Sequence, residues 1–230
     1  MLKKIRRAFS IGLLLFGSGL LVWASLPSKH EVVVQAISSS EMQLPSNGQA
    51  NIPSILETRQ VRLDWPSSMR IGDMEGITLV FEPIANDMSA SNPQDKFSDI
   101  YKDYNIMAEA RFEVAGISVS PAIPTRESML SGRPVKYEWQ INAEQARTFY
   151  GTVWLSLRFL ALDGNMAIQK PIFIREVDIH ATSLCGMSAP MARLLGSTGI
   201  ILSVVIIFDD MISWFRKSRT RTDITTDKHR

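Results

Sequence analysis

The chain has 230 residues, of which 45% are hydrophobic and 21% charged, and its formal net charge is +2 at pH 7. This length suits one domain core with apolar sequence left over for membrane segments. Both ends of the chain are basic, whereas residues 27–188 hold 14 basic against 19 acidic residues. An acidic centre argues against nucleic-acid binding, which needs clustered Lys and Arg.

The N-terminus predicts a helix that crosses a membrane. Residues 1–7 hold four basic residues and no acid, and the 19 residues from Ala8 to Leu26 carry no charge. A helix of that length spans roughly 28 Å, close to the roughly 30 Å of bilayer hydrocarbon. A cleaved signal peptide is the alternative, although its apolar region usually runs about 7–15 residues. We therefore predict a cytoplasmic N-terminus at residues 1–7 and an uncleaved transmembrane helix at residues 8–26.

Residues 27–59 are predicted to be an exposed connector with one possible strand. The stretch at residues 38–54 is rich in Ser, Asn, Gln and Pro, which is typical of connectors. A second interruption, residues 84–104, is too long and polar for a hairpin turn. Its Phe97, Ile100, Tyr101 and Tyr104 fall at helical spacing and predict a short helix laid on the domain.

Residues 60–183 are predicted to form an extracytoplasmic β domain. Apolar and polar residues alternate with a period of two, which is typical of strands with one buried face. The apolar positions of five such stretches are Val61, Leu63, Trp65; Ile77, Leu79, Phe81; Ala110, Phe112, Val114; Val135, Tyr137, Trp139, Ile141; and Val153, Leu155, Leu157, Phe159.

About seven strands with a Trp in a central strand predict an immunoglobulin-like β-sandwich. The inter-sheet cysteine pair of antibody domains is absent, so the likeness is one of architecture. Trp139 is the expected core indole. Asp163 and Gly164 suit a tight hairpin turn, and Pro171 indicates an edge position or a bulge, since it cannot donate a ladder hydrogen bond.

A second apolar run predicts a C-terminal transmembrane helix. The 19 residues from Pro190 to Phe208 carry one charge, and we predict a juxtamembrane linker at 184–189, a helix with an interfacial end at 190–215, and a cytoplasmic tail at 216–230. The charges expected at the membrane boundaries are Arg193, Asp209, Asp210, Arg216 and Lys217. Basic residues flank both runs on the same side, so both termini are expected to be cytoplasmic.

Acids at the end of this helix oppose its macrodipole, so a compensating cation is expected. The tail residues Arg216 and Lys217 are one source, and a partner subunit is another.

Small residues on the second apolar run predict close helix packing. Ala192, Gly196, Gly199 and Ser203 follow spacings of 4, 3 and 4, with Asp210 near the same stripe. Such a stripe favours a membrane protein partner or self-association through the C-terminal helix. The first run holds a looser stripe at Ala8, Gly12 and Gly19.

The sequence indicates no catalytic residue, cofactor or metal site. His30, His180 and His229 lack metal-ligand spacing, and the nucleophile-elbow, phosphate-loop and zinc motifs are absent. Asp95, Asp99 and Asp103 read as a solvated acidic face, and Cys185, the one cysteine, as a free thiol, with a bridge to another chain and a lipidation point as the alternatives. We therefore predict a noncatalytic interaction or scaffold subunit in the cell membrane. The alternatives are an extracytoplasmic ligand sensor and, less favoured, an enzyme whose site is assembled from distant residues.

Overall fold

The computed structural model describes residues 2–42, 57–84, 100, 104–162 and 167–226. The chain forms two compact units, a helical unit from Met1–Pro27 with Ser183–Arg230, and a β unit at Ser28–Thr182. Four predicted features fall wholly or mainly outside the described residues. They are the connector at 38–54, the short helix within 84–104 with its acidic face, the turn at Asp163 and Gly164, and the end of the tail with His229.

The helical unit contains α1 at Leu2–Ser25 and α2 at Ala189–Thr226. A tight turn precedes α2, in which the Met187 N–H donates to the Leu184 carbonyl at 2.9 Å and Cys185 and Gly186 have φ of 51° and 77°. Such a turn needs two left-handed residues in succession, and Gly186 supplies one without strain. Pro190 lies in the first turn of α2, where its missing N–H has no helical acceptor. The predicted linker at 184–189 is therefore mostly a turn.

The β unit confirms the prediction of a mainly β domain. Its strands are β1 Lys29–Ile37, β2 Arg59–Arg70, β3 Met74–Pro83, β4 Tyr104–Val114, β5 Ser118–Ser120, β6 Thr125–Ser128, β7 Val135–Asn142, β8 Thr148–Ala161 and β9 Ala167–Thr182. The five alternating stretches fall in β2, β3, β4, β7 and β8. Their apolar residues are buried, apart from the half-buried Val114. β1 lies within residues 27–59, for which the sequence predicts one possible strand.

The strands form one continuous sheet in the order β5-β7-β3-β2-β9-β8-β4-β6, with β1 also paired to β2. The sandwich prediction expected two separate sheets. The join is made by β2, which pairs antiparallel with β3 as far as Asp64 and then parallel with β9 from Ser68 to Arg70. Pro66 lies between the two pairings, where a residue that cannot donate a hydrogen bond is tolerated.

The sheet curls so that its two halves enclose the core. The Tyr137 hydroxyl on β7 donates to the Ala108 carbonyl on β4 at 2.6 Å, which links the halves directly. Trp139 is only 1% exposed and has Tyr137 and Phe112 as ring neighbours, both 6.3 Å away between centroids. Trp139 is therefore the core indole that the sequence predicts.

Pro171 lies at a bulge, as its inability to donate predicted. It pairs with Ser156, whereas the adjacent Leu155 pairs with Phe173, so Ile172 is the extra residue on β9.

Candidate functional site

The contact between α1 and α2 carries most of the residues that the sequence singled out. Ser10 contacts Ser203 and Gly17 contacts Gly196, so the two helices run antiparallel. Because residue numbers increase in opposite directions along the two helices, these contacts place the apolar run at 8–26 almost directly beside the run at 190–208. The two runs cover the same span of the helix pair.

Two glycines form the centre of this contact. A Cβ added to Gly17 would lie 2.7 Å from the Gly196 carbonyl oxygen, and one on Gly196 would lie 2.8 Å from the Gly17 oxygen. Real Cβ atoms do not approach backbone so closely, so any larger residue would push the helices apart. At Gly199, by contrast, a Cβ would meet the Leu13 oxygen at 3.6 Å, an ordinary van der Waals distance.

Ser10 on α1 and Ser203 on α2 hydrogen-bond to each other's backbone carbonyls. They lie about one helical turn from the basic residues at the start of α1. The Ser203 hydroxyl donates to the Ser10 carbonyl at 2.9 Å, and the Ser10 hydroxyl lies 3.1 Å from the Ser203 carbonyl. Both side chains are buried, at 1% and 0% exposure. Each hydroxyl therefore has a partner within the helix pair, which matters where no water is available.

Charged side chains join the helices at each end of the contact. Arg6 on α1 donates to the Asp209 carboxylate on α2 at 2.5 Å and to the Ile206 carbonyl at 3.3 Å. At the other end, the Arg193 guanidinium donates to the Ala24 carbonyl at 2.9 and 3.2 Å, one residue before α1 ends. A cation at that position donates to a carbonyl that has no helical partner, and it is stabilised by the negative end of the α1 dipole.

The sequence-predicted stripe on α2 faces α1 of the same chain. Ala192, Gly196, Gly199 and Ser203 are all buried, and with Ala189 they repeat at alternating spacings of 3 and 4. That repeat is the seam of a left-handed helix pair. Asp210, Arg216 and Lys217 follow on α2 beyond the seam; their backbone is described and their side chains are not.

The facing seam on α1 escaped the sequence analysis. It consists of Ser10, Gly17, Leu20 and Ala24, all buried, with Leu13 half-buried between them. The predicted residues Ala8, Gly12 and Gly19 lie outside this contact, and a Cβ at either glycine would meet nothing within 4 Å. The signal that could have found the true seam is the seven-residue spacing of Ser10, Gly17 and Ala24.

The outward faces of the helix pair carry large apolar side chains. More than half of the surface of each of these is exposed: Phe9, Leu15, Phe16, Val22, Leu194, Ile201, Val205 and Phe208. Ile5–Ser25 and Ala189–Asp209 are long and apolar enough to cross a membrane, and only 22% of each is buried. Small residues therefore lie inside the pair and large apolar residues outside, the reverse of a helix pair in water.

In the β unit, a buried ionic contact fixes the turn before β7. The Arg59 side chain is fully buried and donates to the Leu130 and Arg133 carbonyls at 2.9 and 3.0 Å, as well as to Glu57. Glu57 in turn accepts from the Gly132 N–H at 2.9 Å, so the pair holds the turn before β7. The sequence analysis marked neither residue, although Arg59 is in phase with the apolar positions Val61, Leu63 and Trp65 of the same strand.

A second ionic group surrounds Glu109 on β4. Its carboxylate accepts from Arg126 at 2.6 Å and from Arg158 at 3.3 Å. Burial alone would raise the pKa of Glu109, but the hydrogen bonds and charges of the two arginines outweigh burial and hold the pKa below its usual 4.5. Burial, with the charges of Glu127 and Glu109, raises the pKa of Tyr137 far above its usual 10.0, so its hydroxyl stays a donor.

The histidines of the β unit bind side chains of neighbouring strands. His30 Nδ1 lies 2.8 Å from Asp64 and its Nε2 3.8 Å from Glu75, and His180 Nδ1 lies 2.8 Å from the Thr148 hydroxyl. Among the described residues, no group of three or more His, Cys, Asp or Glu is placed to hold a metal ion.

The outer face of β8 and β9 bears exposed apolar side chains. Tyr150 is 77% and Ile174 51% exposed, and Ile174 lies opposite Trp154 in the strand pairing. The Arg111 guanidinium stacks 5.0 Å above the Trp154 ring. We call Tyr150, Trp154 and Ile174 the outer apolar row.

No family model matches the sequence, and no curated protein matches it. Among solved structures, a chain of the complex between zinc 2-glycoprotein and prolactin inducible protein from human seminal plasma is 12% identical, with 54% of this chain and 93% of that chain covered and a TM-score of 0.37. AggA, the major subunit of aggregative adherence fimbriae type I from Escherichia coli, is 7% identical over 68% and 98% of the chains, at a TM-score of 0.29. The CooA pilin subunit from enterotoxigenic Escherichia coli is 13% identical over 68% and 100%, at 0.21. These TM-scores are low, so the description of the fold rests on the strands themselves.

Proposed function

We propose that this protein is a membrane-anchored, noncatalytic interaction or scaffold subunit. The pair of α1 and α2 is its anchor, both termini are cytoplasmic, and the β unit, whose single curled sheet encloses a core as the two sheets of an immunoglobulin-like sandwich do, is presented outside the membrane. One observation carries the proposal: two apolar runs lie level with each other, with small residues between them and large apolar residues around them.

A bilayer accounts for this arrangement where water does not. Each run spans roughly 28 Å as a helix, which matches the hydrocarbon layer. Lipid solvates large apolar side chains as well as protein does, so membrane helices associate through small residues and hydrogen bonds. The contact between Gly17 and Gly196 and the paired serines Ser10 and Ser203 are both of that kind.

The same contact favours retention of α1 over its removal as a signal peptide. Without α1, Ser203 would lose its acceptor, Asp209 the guanidinium of Arg6, and Gly196 its packing partner. An unpaired carboxylate near hydrocarbon is costly. We therefore propose that both helices remain in the mature protein.

The interaction role is supported by the outer apolar row of the β unit. Tyr150 and Ile174 expose apolar surface on the same face of the sheet, four pairing positions apart, and exposed apolar side chains of this kind are common at contact sites with other proteins. Because the small-residue stripe of α2 already packs on α1, a partner would contact another face of the anchor or the β unit.

The orientation can be tested with the native cysteine. Cys185 is the one cysteine in the chain, it is exposed, and it precedes α2 by four residues. In intact cells, a membrane-impermeant maleimide should label the protein, and the Cys185→Ser variant should stay unlabelled. Labelling only after the cells are permeabilised would contradict the proposed orientation.

The interaction role can be tested by purification in mild detergent. We expect a stoichiometric protein partner that is lost when Tyr150 and Ile174 are both changed to alanine. Met74 is 73% exposed at the start of β3, so Met74→Ala is the matched control and should retain the partner. A monodisperse lone protein whose melting temperature rises with a small ligand would contradict the scaffold role and favour the sensor.

A further inference from the structure

The antiparallel contact of α1 and α2 brings two basic clusters to one end of the helix pair. Arg6 lies within 2.5 Å of Asp209, so the start of α1 and the second half of α2 share that end. The basic residues there are Lys3, Lys4, Arg6, Arg7, Arg216, Lys217, Arg219 and Arg221. Against them stand only Asp209 and Asp210 as far as residue 222, so this end carries a formal net charge of +6.

The clusters lie at the depth of lipid headgroups if the anchor spans the bilayer. The apolar runs end at Ala8 and Phe208, next to the Arg6–Asp209 pair. As α2 is one helix to Thr226, Arg216 follows Asp209 by about 10 Å and Arg221 by about 18 Å along its axis. The headgroup layer is about 5–8 Å thick on each side, and a charge is felt for about 8 Å beyond it at physiological salt. The α2 cluster therefore begins within reach of the membrane surface and ends near the limit of that reach.

We infer that this end of the helix pair is a binding surface for anionic phospholipid headgroups. The inference rests on the proposed membrane anchor and adds a class of lipid to it. Neither helix alone brings more than four basic residues to this surface, whereas the pair brings eight. Juxtamembrane basic residues each strengthen attachment to anionic lipid, and their effects accumulate over a cluster of four to eight.

The test measures which lipids contact the full-length protein in a bilayer. The protein is reconstituted into nanodiscs, where both leaflets have the same composition and its orientation has no influence. Association with spin-labelled phosphatidylglycerol is compared with that of spin-labelled phosphatidylcholine. We expect phosphatidylglycerol to associate about threefold or more strongly, and the preference to fall as NaCl rises. Equal association of both lipids would overturn the inference.

Matched variants locate the effect. Changing Arg216, Lys217, Arg219 and Arg221 to glutamine should remove at least about half of the preference, since these are four of the eight basic residues. The control removes the same number of charges from exposed positions of the β unit, namely Lys29, Arg62, Lys136 and Arg175, and should keep the preference. If both variants lose the preference for phosphatidylglycerol equally, the basic end of the helix pair is not where the anionic lipid binds.

A second arm separates lipid headgroups from free phosphate. Inorganic phosphate and NaCl at equal ionic strength should reduce the preference equally if the surface binds headgroups. A larger reduction by phosphate would indicate a site for free phosphate and overturn the inference. A protein that incorporates into nanodiscs without a lipid preference contradicts only this inference, whereas one that stays in solution without detergent contradicts the proposed anchor.

Discussion

Glu109 illustrates how a buried carboxylate makes the β unit sensitive to acid. The folded pKa lies below 4.5 because Arg126 and Arg158 favour the charged form. Its contribution to stability is therefore complete above the usual pKa and is lost as the pH falls through the folded pKa.

We expect Glu109→Gln to lower the free energy of unfolding by about 2 kcal/mol at pH 7, because charge-assisted hydrogen bonds are lost. The difference from the native protein should shrink below pH 4.5. Urea unfolding of the full chain in detergent, followed by tryptophan fluorescence at several pH values, measures it. Glu113 pairs with Arg111 on the surface at 3.1 Å, so Glu113→Gln is the control and should change stability little. If the two proteins still differ in free energy of unfolding at pH 3 as much as at pH 7, the charged form of Glu109 is not the source of the stability.

Arg59 is a buried charged residue whose loss should strongly weaken the β unit. It is fully buried, binds two backbone carbonyls and Glu57, and lies 5.1 Å from the centre of the Phe81 ring. Removal of one partner from a buried ion pair costs about 3–5 kcal/mol, since the remaining charge stays desolvated. We expect that loss for Arg59→Ala in urea unfolding. Arg62→Ala, at an exposed position of the same strand, should cost about 0.5 kcal/mol or less.

The burial of Arg59 and Glu109 lay beyond the reach of the sequence, for a physical reason. Glu109 lies on the polar phase of β4, and Arg59, although in phase with the buried Val61 and Leu63, carries a charge, whose burial is unfavourable without partners. The partners Arg126, Arg158 and the carbonyls of Leu130 and Arg133 come from distant parts of the chain. Only the folded sheet brings them together.

Among the elements, strands were easier to predict than their pairing. Period-two alternation predicted β2, β3, β4, β7 and β8 because each has one face in the core. Alternation says nothing about which neighbour a strand pairs with. The single curled sheet depends on the parallel pairing of Ser68–Arg70 with His180–Thr182, across more than a hundred residues. The sequence thus predicted the strands and their buried faces, but it did not predict the β2–β9 pairing that joins them into one sheet.

The two helices show a related limit. A uniformly apolar helix has no polar face from which its inner side can be read, so the packing side must be inferred from small residues. On α2 all the small residues of the stripe share one side. On α1 they occur on two sides, and Gly17 but not Gly12 or Gly19 is in contact with α2.

This difference between glycines of α1 provides a test of the helix contact. Gly17→Leu should separate the helices, because even a Cβ would meet the Gly196 oxygen at 2.7 Å. Gly19→Leu should leave the contact intact, since nothing lies within 4 Å. The measurement is disulfide formation between cysteines placed at Ser10 and Ser203 in a Cys185→Ser background. Loss of the cross-link in both variants, or in neither, would contradict the glycine contact.

At the scale of the whole molecule, the same cysteine pair reports whether α1 is retained. The hydroxyl oxygens of Ser10 and Ser203 are 3.2 Å apart, so sulfur atoms at these positions can meet. In cell membranes we expect the oxidised double variant to keep its two ends joined after proteolysis of the β unit, and to separate on reduction. A mature protein that lacks α1 would contradict retention, and the intact mass of the extracted chain would reveal it.

The contact between Gly17 and Gly196 can form only after the ribosome has made α2, because the two glycines lie far apart in the chain. At about 5–20 residues per second, the ribosome reaches α2 roughly ten to thirty seconds after α1 has emerged. If α1 is part of the proposed membrane anchor, it has no companion helix during that interval, and its 19 uncharged residues alone must hold it in the lipid. Because Ser10 and Gly17 stay unpaired until α2 is made, each helix of the proposed anchor must be apolar enough to insert by itself.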